Sequence, residues 1–307
     1  MTTVILNRAA AGGRALRRWK EVAGALSSYL PDRDAAVLDD PGQARARVEE
    51  ALGLGELQFV AAGGDGTVNL LVDTIVKRAP PEVLHRICIG AVGLGSSNDF
   101  HKPVREDRRL RGVPFRLDFN SPVTHDVCFV DAGDGQRHYW IINASMGLTA
   151  EANYFFNHPD RTLRFLKDRS TGAAIAYAAT RTLAMKRDIP TNLKVDCEPS
   201  FAAAVTNMGI VKNPNFSRSL TYRSPYEPAS GSFHVHLCEG MSRMRVLLTL
   251  WRSSRHGFHG LSRTRSWRAQ RLAVTADEDF LVEFDGETIE TRSASFAILK
   301  EAIQLCS

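Results

Sequence analysis

The feature that most constrains the fold is a pattern repeated through the first third of the chain: a short apolar run, a turn, then a helical period. Residues 4–6, 35–38, 57–62 and 87–92 are apolar runs too short for buried helices and read as strands. Between them, residues 14–30, 43–52 and 67–79 carry helical patterns. Parallel neighbours need a crossover, and a helix is the usual one, so the alternation predicts a parallel sheet covered on both faces. In such sheets ligands bind beyond the carboxyl ends of the strands. The turns that follow the strands are therefore the places to look for chemistry.

From Arg116 onward the pattern changes. Strand-like runs at 126–131, 139–143, 193–197, 203–206, 233–237, 272–275 and 280–284 are separated by turn residues, which predicts an antiparallel sandwich or distorted barrel. A single helical insert over residues 160–186 interrupts it. The last run, 295–305, is expected to return to the first domain. The expected fold class is thus an α/β nucleotide-binding domain with a parallel sheet, residues 1–118 joined by 293–307, plus a mostly antiparallel β-rich domain, 119–292. A length of 307 residues accommodates two such domains.

Hydrophobic residues make up 44% and charged residues 24%, the balance of a folded chain rather than a disordered one. The net charge of +5 suits anionic partners, whether nucleotides, nucleic acid or acidic lipid, without choosing among them. The five cysteines are scattered and form no Cys-x-x-Cys pair, which argues against a zinc site or disulfide framework and fits a reducing cytoplasm. Val4-Ile5-Leu6 is too short for a signal peptide, and no stretch approaches the roughly 20 apolar residues of a membrane span.

The strongest local signal is Gly63-Gly64-Asp65-Gly66-Thr67, set between a predicted strand and a predicted helix. Glycines let the backbone approach a phosphate chain, and the helix start presents free N–H groups. Asp65 makes sense there as a ligand to a magnesium ion that screens the phosphates. The plain alternative is a tight turn with Asp65 or Thr67 as cap. A second loop, Gly93-Leu94-Gly95-Ser96-Ser97-Asn98-Asp99-Phe100, follows the fourth strand, and a third, Asn7 through Gly12 and Gly13, follows the first. Each alone reads as an ordinary turn, but three at the same sheet edge converge in space. No Gly-x4-Gly-Lys-Ser/Thr loop exists, and Gly-x-Gly-x-x-Gly is absent after the first strand. Far downstream, Phe284-Asp285-Gly286-Glu287 offers two carboxylates suited to general-base work on an alcohol or to holding a metal. Asp-Gly is also a favoured hairpin turn, and taken alone that reading is preferred.

In this order the motifs resemble the diacylglycerol kinase catalytic family, which includes bacterial lipid kinases and sphingosine kinases. The resemblance runs from about Val4 to Leu305 and is most specific at 63–69, 95–100 and 285–287, with weaker echoes at 143–147 and 206–207. It implies an ATP-dependent kinase acting on a lipid hydroxyl, diacylglycerol or a relative, from a cleft between the two domains. ATP would lie against Asn7, Gly12, Gly63, Gly64, Asp65, Gly66, Thr67, Asn69, Gly95, Ser96, Ser97 and Asn98, with magnesium on Asp65. Glu287 would take the hydroxyl proton, with Asp285 beside it. Four departures stand out: Arg8 and Ala11 in the loop after the first strand, Ser96 for threonine, Leu70 for glutamate, and Ser230-Gly231-Ser232-Phe233-His234 where many bacterial members have Asp-Gly followed by a second Asp, the first Asp helping to hold a structural magnesium. An NAD kinase shares the Gly-Gly-Asp-Gly loop, and a catalytically weakened binder would explain Leu70 and Ser230. Retention of Asp65, Asp285 and Glu287 favours the enzyme.

Residues 241–271 carry eight arginines and no acid, with Val246, Leu247, Leu248, Leu250, Trp251 and Phe258 interleaved. Such a stretch suits an anionic membrane at the inner, cytoplasmic face, and equally a solvated face beside a core helix. No stacking motif points to nucleic acid. A homo-oligomer is compatible with the sequence.

Overall fold

The computed structural model describes residues 1–30, 33–38, 40–133, 135–216, 220–222, 224–255 and 261–307; Phe258 of the basic segment lies outside them. The chain divides into two compact units, Met1–Val127 with Leu299–Ser307, and Cys128–Ile298.

In the first unit the strands Thr2–Asn7, Arg33–Leu38, Gln58–Gly63 and Cys88–Gly93 pair in parallel, Thr2–Asn7 lying between Arg33–Leu38 and Gln58–Gly63, which in turn pairs Cys88–Gly93. Gln304 and Leu305, at the end of the last strand, extend this sheet in parallel beside Cys88 and Ile89. The antiparallel strand Val113–Arg116 joins Cys88–Gly93 further along. Helix Ala15–Leu26 buries Ala15, Trp19, Val22 and Leu26 on Val4, Leu6, Val60, Ala62 and Val92. The i, i+4, i+7, i+11 spacing of those four is the stripe a surface helix needs. Ile5, Phe59 and Ala61, one position out of phase along their strands, are equally buried and belong to the opposite face. Helix Pro41–Gly53 starts at Asp40, whose carboxylate accepts the N–H groups of Gly42 and Gln43. Helix Asp65–Arg78 starts directly after its strand.

The second unit is built on an antiparallel sheet whose strands run in the order Thr264–Ala269, Phe233–Glu239, Phe201–Val211, Ile189–Val195, Leu272–Phe284 and the first part of Glu287–Leu305. Asn143–Gly147 also pairs with both Phe201–Val211 and Leu272–Phe284. Ile189–Val195 alternates buried and exposed residues throughout, as a strand with one face on the core must. The core gathers Trp140, Met146, Leu193, Phe233, Phe280 and Phe296.

The second unit differs from the sequence expectation at two places. The runs 272–275 and 280–284 form one strand, broken only by an irregularity in its pairing. The insert over 160–186 is two helices, Arg161–Arg169 and Thr171–Ala184, and a further helix, Leu148–Asn157, precedes it. Asp160 and Ser170 start the two helices of the insert by accepting the N–H of Leu163 and Ala173, and Ser170 takes extended backbone to do so.

Candidate active site

Gly64 and Gly95 pack backbone against backbone, and Gly63 makes room for the Thr67 side chain. A Cβ on Gly95 would lie 2.4 Å from Cα of Gly64, and one on Gly63 would lie 2.2 Å from Oγ1 of Thr67. The carbonyl of Gly63 accepts the N–H groups of Leu94 (2.7 Å) and Gly95 (3.1 Å), so the 63–67 and 93–100 turns form one body. Asn7 joins the turn after Thr2–Asn7 to them by donating from Nδ2 to Thr67 Oγ1 at 3.2 Å. Beyond Asn7, Ala11, Gly12 and Gly13 take three successive left-handed conformations (φ 54°, 67° and 82°), which cost little only at the glycines.

Within this body the predicted residues divide. Gly66 and Ser96 are exposed, as is Gly12. Asn69 and Thr67 are buried. The Asn98 amide is occupied by its own turn, accepting from Gly95 N–H at 3.0 Å and donating to the carbonyls of Gly93 (3.1 Å) and Gly95 (3.2 Å); its backbone is left-handed, φ 54°, which asparagine tolerates. Ser97 donates to Asp99 at 2.5 Å, and Lys102 donates to the same carboxylate.

Asp65 is a brace. Its two oxygens accept the N–H groups of Asp99 (3.1 Å) and Phe100 (3.0 Å) and fix the 95–100 turn against the start of the helix. Burial of this carboxylate, and then the charge of Asp99, push it up to about 6 despite those two hydrogen bonds.

In the second unit Asp285 and Gly286 form the two-residue turn between Leu272–Phe284 and the following strand, Phe284 pairing with Glu287. Both turn residues have positive φ, 46° and 99°, the requirement of a tight hairpin and the reason for Asp-Gly. Asp285 is buried, and its carboxylate accepts three backbone N–H groups: Ile141 at 2.8 Å, Ile142 at 3.0 Å and Asn143 at 2.9 Å. It ties the hairpin to the strand edge 143 residues or so away in sequence, Ile142 in particular. Glu287 is exposed at the hairpin tip. Of the two carboxylates expected to act side by side, one is spent on backbone and one faces solvent.

Sequence reasoning missed Glu283. It is buried, accepts the Ser145 hydroxyl at 2.7 Å and the Gly286 N–H at 2.8 Å, and burial pushes its carboxyl up to about 7. An acid among the apolar residues of a strand, Phe-Leu-Val-Glu-Phe, was the available signal. The echoes at 143–147 and 206–207 do meet: Gly147 pairs with Asn207, a Cβ on Gly147 would lie 2.5 Å from the Thr206 carbonyl, and Asn207 Oδ1 accepts the N–H of Thr149 at the start of helix Leu148–Asn157.

With this geometry in view, the first 113 residues match the model of the diacylglycerol kinase catalytic domain. A "Probable lipid kinase YegS-like" protein of Pectobacterium atrosepticum is 39% identical over 303 residues, covering 99% of this chain and 94% of the relative. The chain belongs to the diacylglycerol kinase family. A Yersinia pestis protein of the same description is 26% identical over 268 residues, 86% of this chain and 83% of the other. A crystal structure of a diacylglycerol kinase from Bacillus anthracis shares the fold at a TM-score of 0.68 and 12% identity, covering 99% of this chain and 96% of that one. As a member of a kinase family the protein is an enzyme that takes ATP as co-substrate.

The structural magnesium site of some family members does not fit the residues here. Ser230 and Ser232 present no carboxylate, and the buried Lys212 ammonium donates to the Ser230 hydroxyl at 3.2 Å and the Ser232 carbonyl at 3.0 Å. Arg268 donates to the Ser232 hydroxyl at 2.7 Å. Two protein cations already serve this turn, and a divalent ion beside them would be repelled. Among the described residues no group of three or more His, Cys, Asp or Glu side chains is placed to hold a metal. No helix among them is long and apolar enough to cross a membrane.

Proposed function

We propose that the protein transfers the γ-phosphoryl group of ATP to a hydroxyl of diacylglycerol or a related lipid. The observation that carries this reading is the body formed by the turns after three parallel strands, where glycine backbones pack against each other around the start of helix Asp65–Arg78. Phosphoryl transfer asks little covalent chemistry of a protein and depends on positioning and charge neutralisation. A helix start and close, side-chain-free backbone supply both for a phosphate chain. On this reading the 1–118 region with 293–307 is the nucleotide domain and 119–292 the lipid domain. The exposed Gly12, Gly66 and Ser96 are the positions that approach ATP, while Asp65, Asn7 and Asn98 hold the turns in shape.

Magnesium accompanying ATP would neutralise charge on the phosphates. Asp65 is the oxygen donor the resemblance assigns to that ion; its two oxygens also accept the Asp99 and Phe100 N–H groups, and a carboxylate oxygen has lone pairs for both. Glu287, exposed beside the Asp-Gly turn, is the base assigned to the acceptor hydroxyl; an alcohol is a poor nucleophile until its proton has somewhere to go. Asp285 positions it through the hairpin. The cytoplasmic face of the membrane is the place where ATP and a lipid hydroxyl are both available.

The test is single-turnover transfer from labelled ATP to diacylglycerol, run beside a nucleotide titration. Glu287→Gln should keep ATP affinity within a few fold and slow transfer by ~10²–10⁴. Unchanged transfer would remove the base assignment, and equal losses in binding and transfer would make Glu287 structural.

A further inference from the structure

Helix Arg243–Arg255 packs inside out. Its inward stripe is Val246, Thr249 and Ser253, which are 7%, 8% and 3% exposed. Val246 belongs to a small core with Val211, Tyr222, Cys238 and Met241, and the Thr249 hydroxyl meets Met241. Thr249 can be buried because its hydroxyl donates to the Arg245 carbonyl at 2.9 Å. Facing solvent instead are Met244, Leu247, Leu248 and Trp251, at 74%, 46%, 47% and 50% exposure. At ~100° per residue these four share one arc of the helix, opposite the buried stripe. A surface helix of a globular protein carries the reverse arrangement.

The charges on the helix are all of one sign. Arg245 and Arg252 flank it on one side, and Arg255 sits at its end with the guanidinium 5.0 Å from the Trp251 ring. Arg243, on the other flank, donates to the carbonyls of Leu183 (3.1 Å) and Ala184 (2.9 Å), anchoring the helix start against the end of helix Thr171–Ala184. The next residue, Met185, is 67% exposed. No acid occurs between Met241 and Arg271. An apolar arc centred on leucine, methionine and tryptophan and edged with arginine matches the boundary of an anionic bilayer, where acyl chains take the ridge and headgroups take the guanidinium groups. A helix of 13 residues is ~20 Å long, enough to lie in that boundary and too short to span it.

We infer that helix Arg243–Arg255 docks the enzyme on anionic membrane by partly burying Met244, Leu247, Leu248 and Trp251 in the lipid, with Arg245 and Arg252 on the headgroups. The proposal rests on the lipid-kinase reading for its purpose but not for its evidence. Its signature differs from that of a merely solvated basic face, because part of the binding survives high salt.

The experiment is sedimentation of the full chain, without ATP, with phosphatidylcholine vesicles that do or do not contain phosphatidylglycerol. Wild type should prefer the anionic vesicles and lose only part of its binding as salt rises. Leu247→Glu and Trp251→Glu should each weaken partitioning by about tenfold, since each removes roughly half of a large side chain's burial and adds a charge. Arg245→Glu with Arg252→Glu should weaken binding to anionic vesicles by at least ~10-fold and leave binding to neutral ones unchanged. Vesicle binding indifferent to both sets overturns the proposal. A wild-type dimer that Leu247→Glu makes monomeric, with vesicle binding intact, overturns it too and makes the ridge an interface between copies. Transfer to a short-chain, water-soluble diacylglycerol should be unchanged in Trp251→Glu. If wild type fails to phosphorylate that acceptor while docking behaves as stated, the acceptor assignment falls and the membrane surface stands.

Discussion

Replacing Asp285 with asparagine separates bracing from catalysis at the residue where the two are easiest to confuse. Asparagine keeps the size of the side chain and tolerates the positive φ of 46° at this position, so the turn itself is not penalised. In the native protein Oδ1 accepts from Ile142 and Asn143, and Oδ2 accepts from Ile141 at 2.8 Å. After substitution one oxygen can still serve two of the three N–H groups. The amide nitrogen then faces the third, donor against donor, in a buried site. Loss of one hydrogen bond to a charged acceptor costs ~1.5–3 kcal/mol, and a stranded buried donor a further ~1–3 kcal/mol. Together these give about 2.5–6 kcal/mol, on the order of 10 °C in melting temperature for a unit of this size. Urea unfolding followed by circular dichroism, beside single-turnover transfer, measures both consequences. If Asp285→Asn unfolds within ~1 kcal/mol of wild type while transfer falls by ~10² or more, the carboxylate acts on substrate rather than on backbone, and Asp285 is not a brace.

Other perturbations test neighbouring claims. Glu283, whose carboxyl is pushed up to about 7 from 4.5, chiefly by burial, stabilises the fold in its neutral form; that contribution is complete below pH 4.5 and is lost as the pH rises to about 7. Glu283→Gln should flatten the fall in unfolding free energy across that window and leave the variant more stable above it, by on the order of 3 kcal/mol; a variant with the wild-type slope would show that Glu283 is not the titrating group. Gly95→Ala sets a Cβ 2.4 Å from Gly64 Cα and should cost ~1–3 kcal/mol and weaken ATP binding. Gly66→Ala meets nothing within 4 Å, so weaker ATP binding there without loss of stability would report the approach of phosphate itself. Lys212→Met removes the tether to Ser230 and Ser232 and should lower stability by ~1.5–3 kcal/mol, whereas chelation of magnesium should leave the wild-type melting temperature unchanged; a chelator-sensitive melt would refute the account of that turn.

The repeat of strand, glycine turn and helix was legible because each part is encoded over a few consecutive residues. Buried runs such as Phe59 to Ala62, the stripe of Ala15, Trp19, Val22 and Leu26, and the glycines after the strands all declare themselves locally. The break in the helical insert is also local, at Ser170, which caps Thr171–Ala184 in extended backbone, but a lone serine inside a helical pattern is a weak signal. The role of each acid is a different matter. Asp65, Asp285, Glu283 and Glu287 are alike in sequence, yet the first two are consumed by backbone N–H groups from turns 34 and 142 or more residues away, Glu283 is sealed in the sheet, and Glu287 alone meets solvent. Helix Arg243–Arg255 makes the same point with apolar residues, since composition identifies an amphipathic helix but not which side the core takes. Hydrophobic period and turn chemistry depend on neighbours along the chain; the state of a carboxylate and the facing of a helix depend on what tertiary packing brings beside them, because desolvation and hydrogen bonding act through space over a few ångströms.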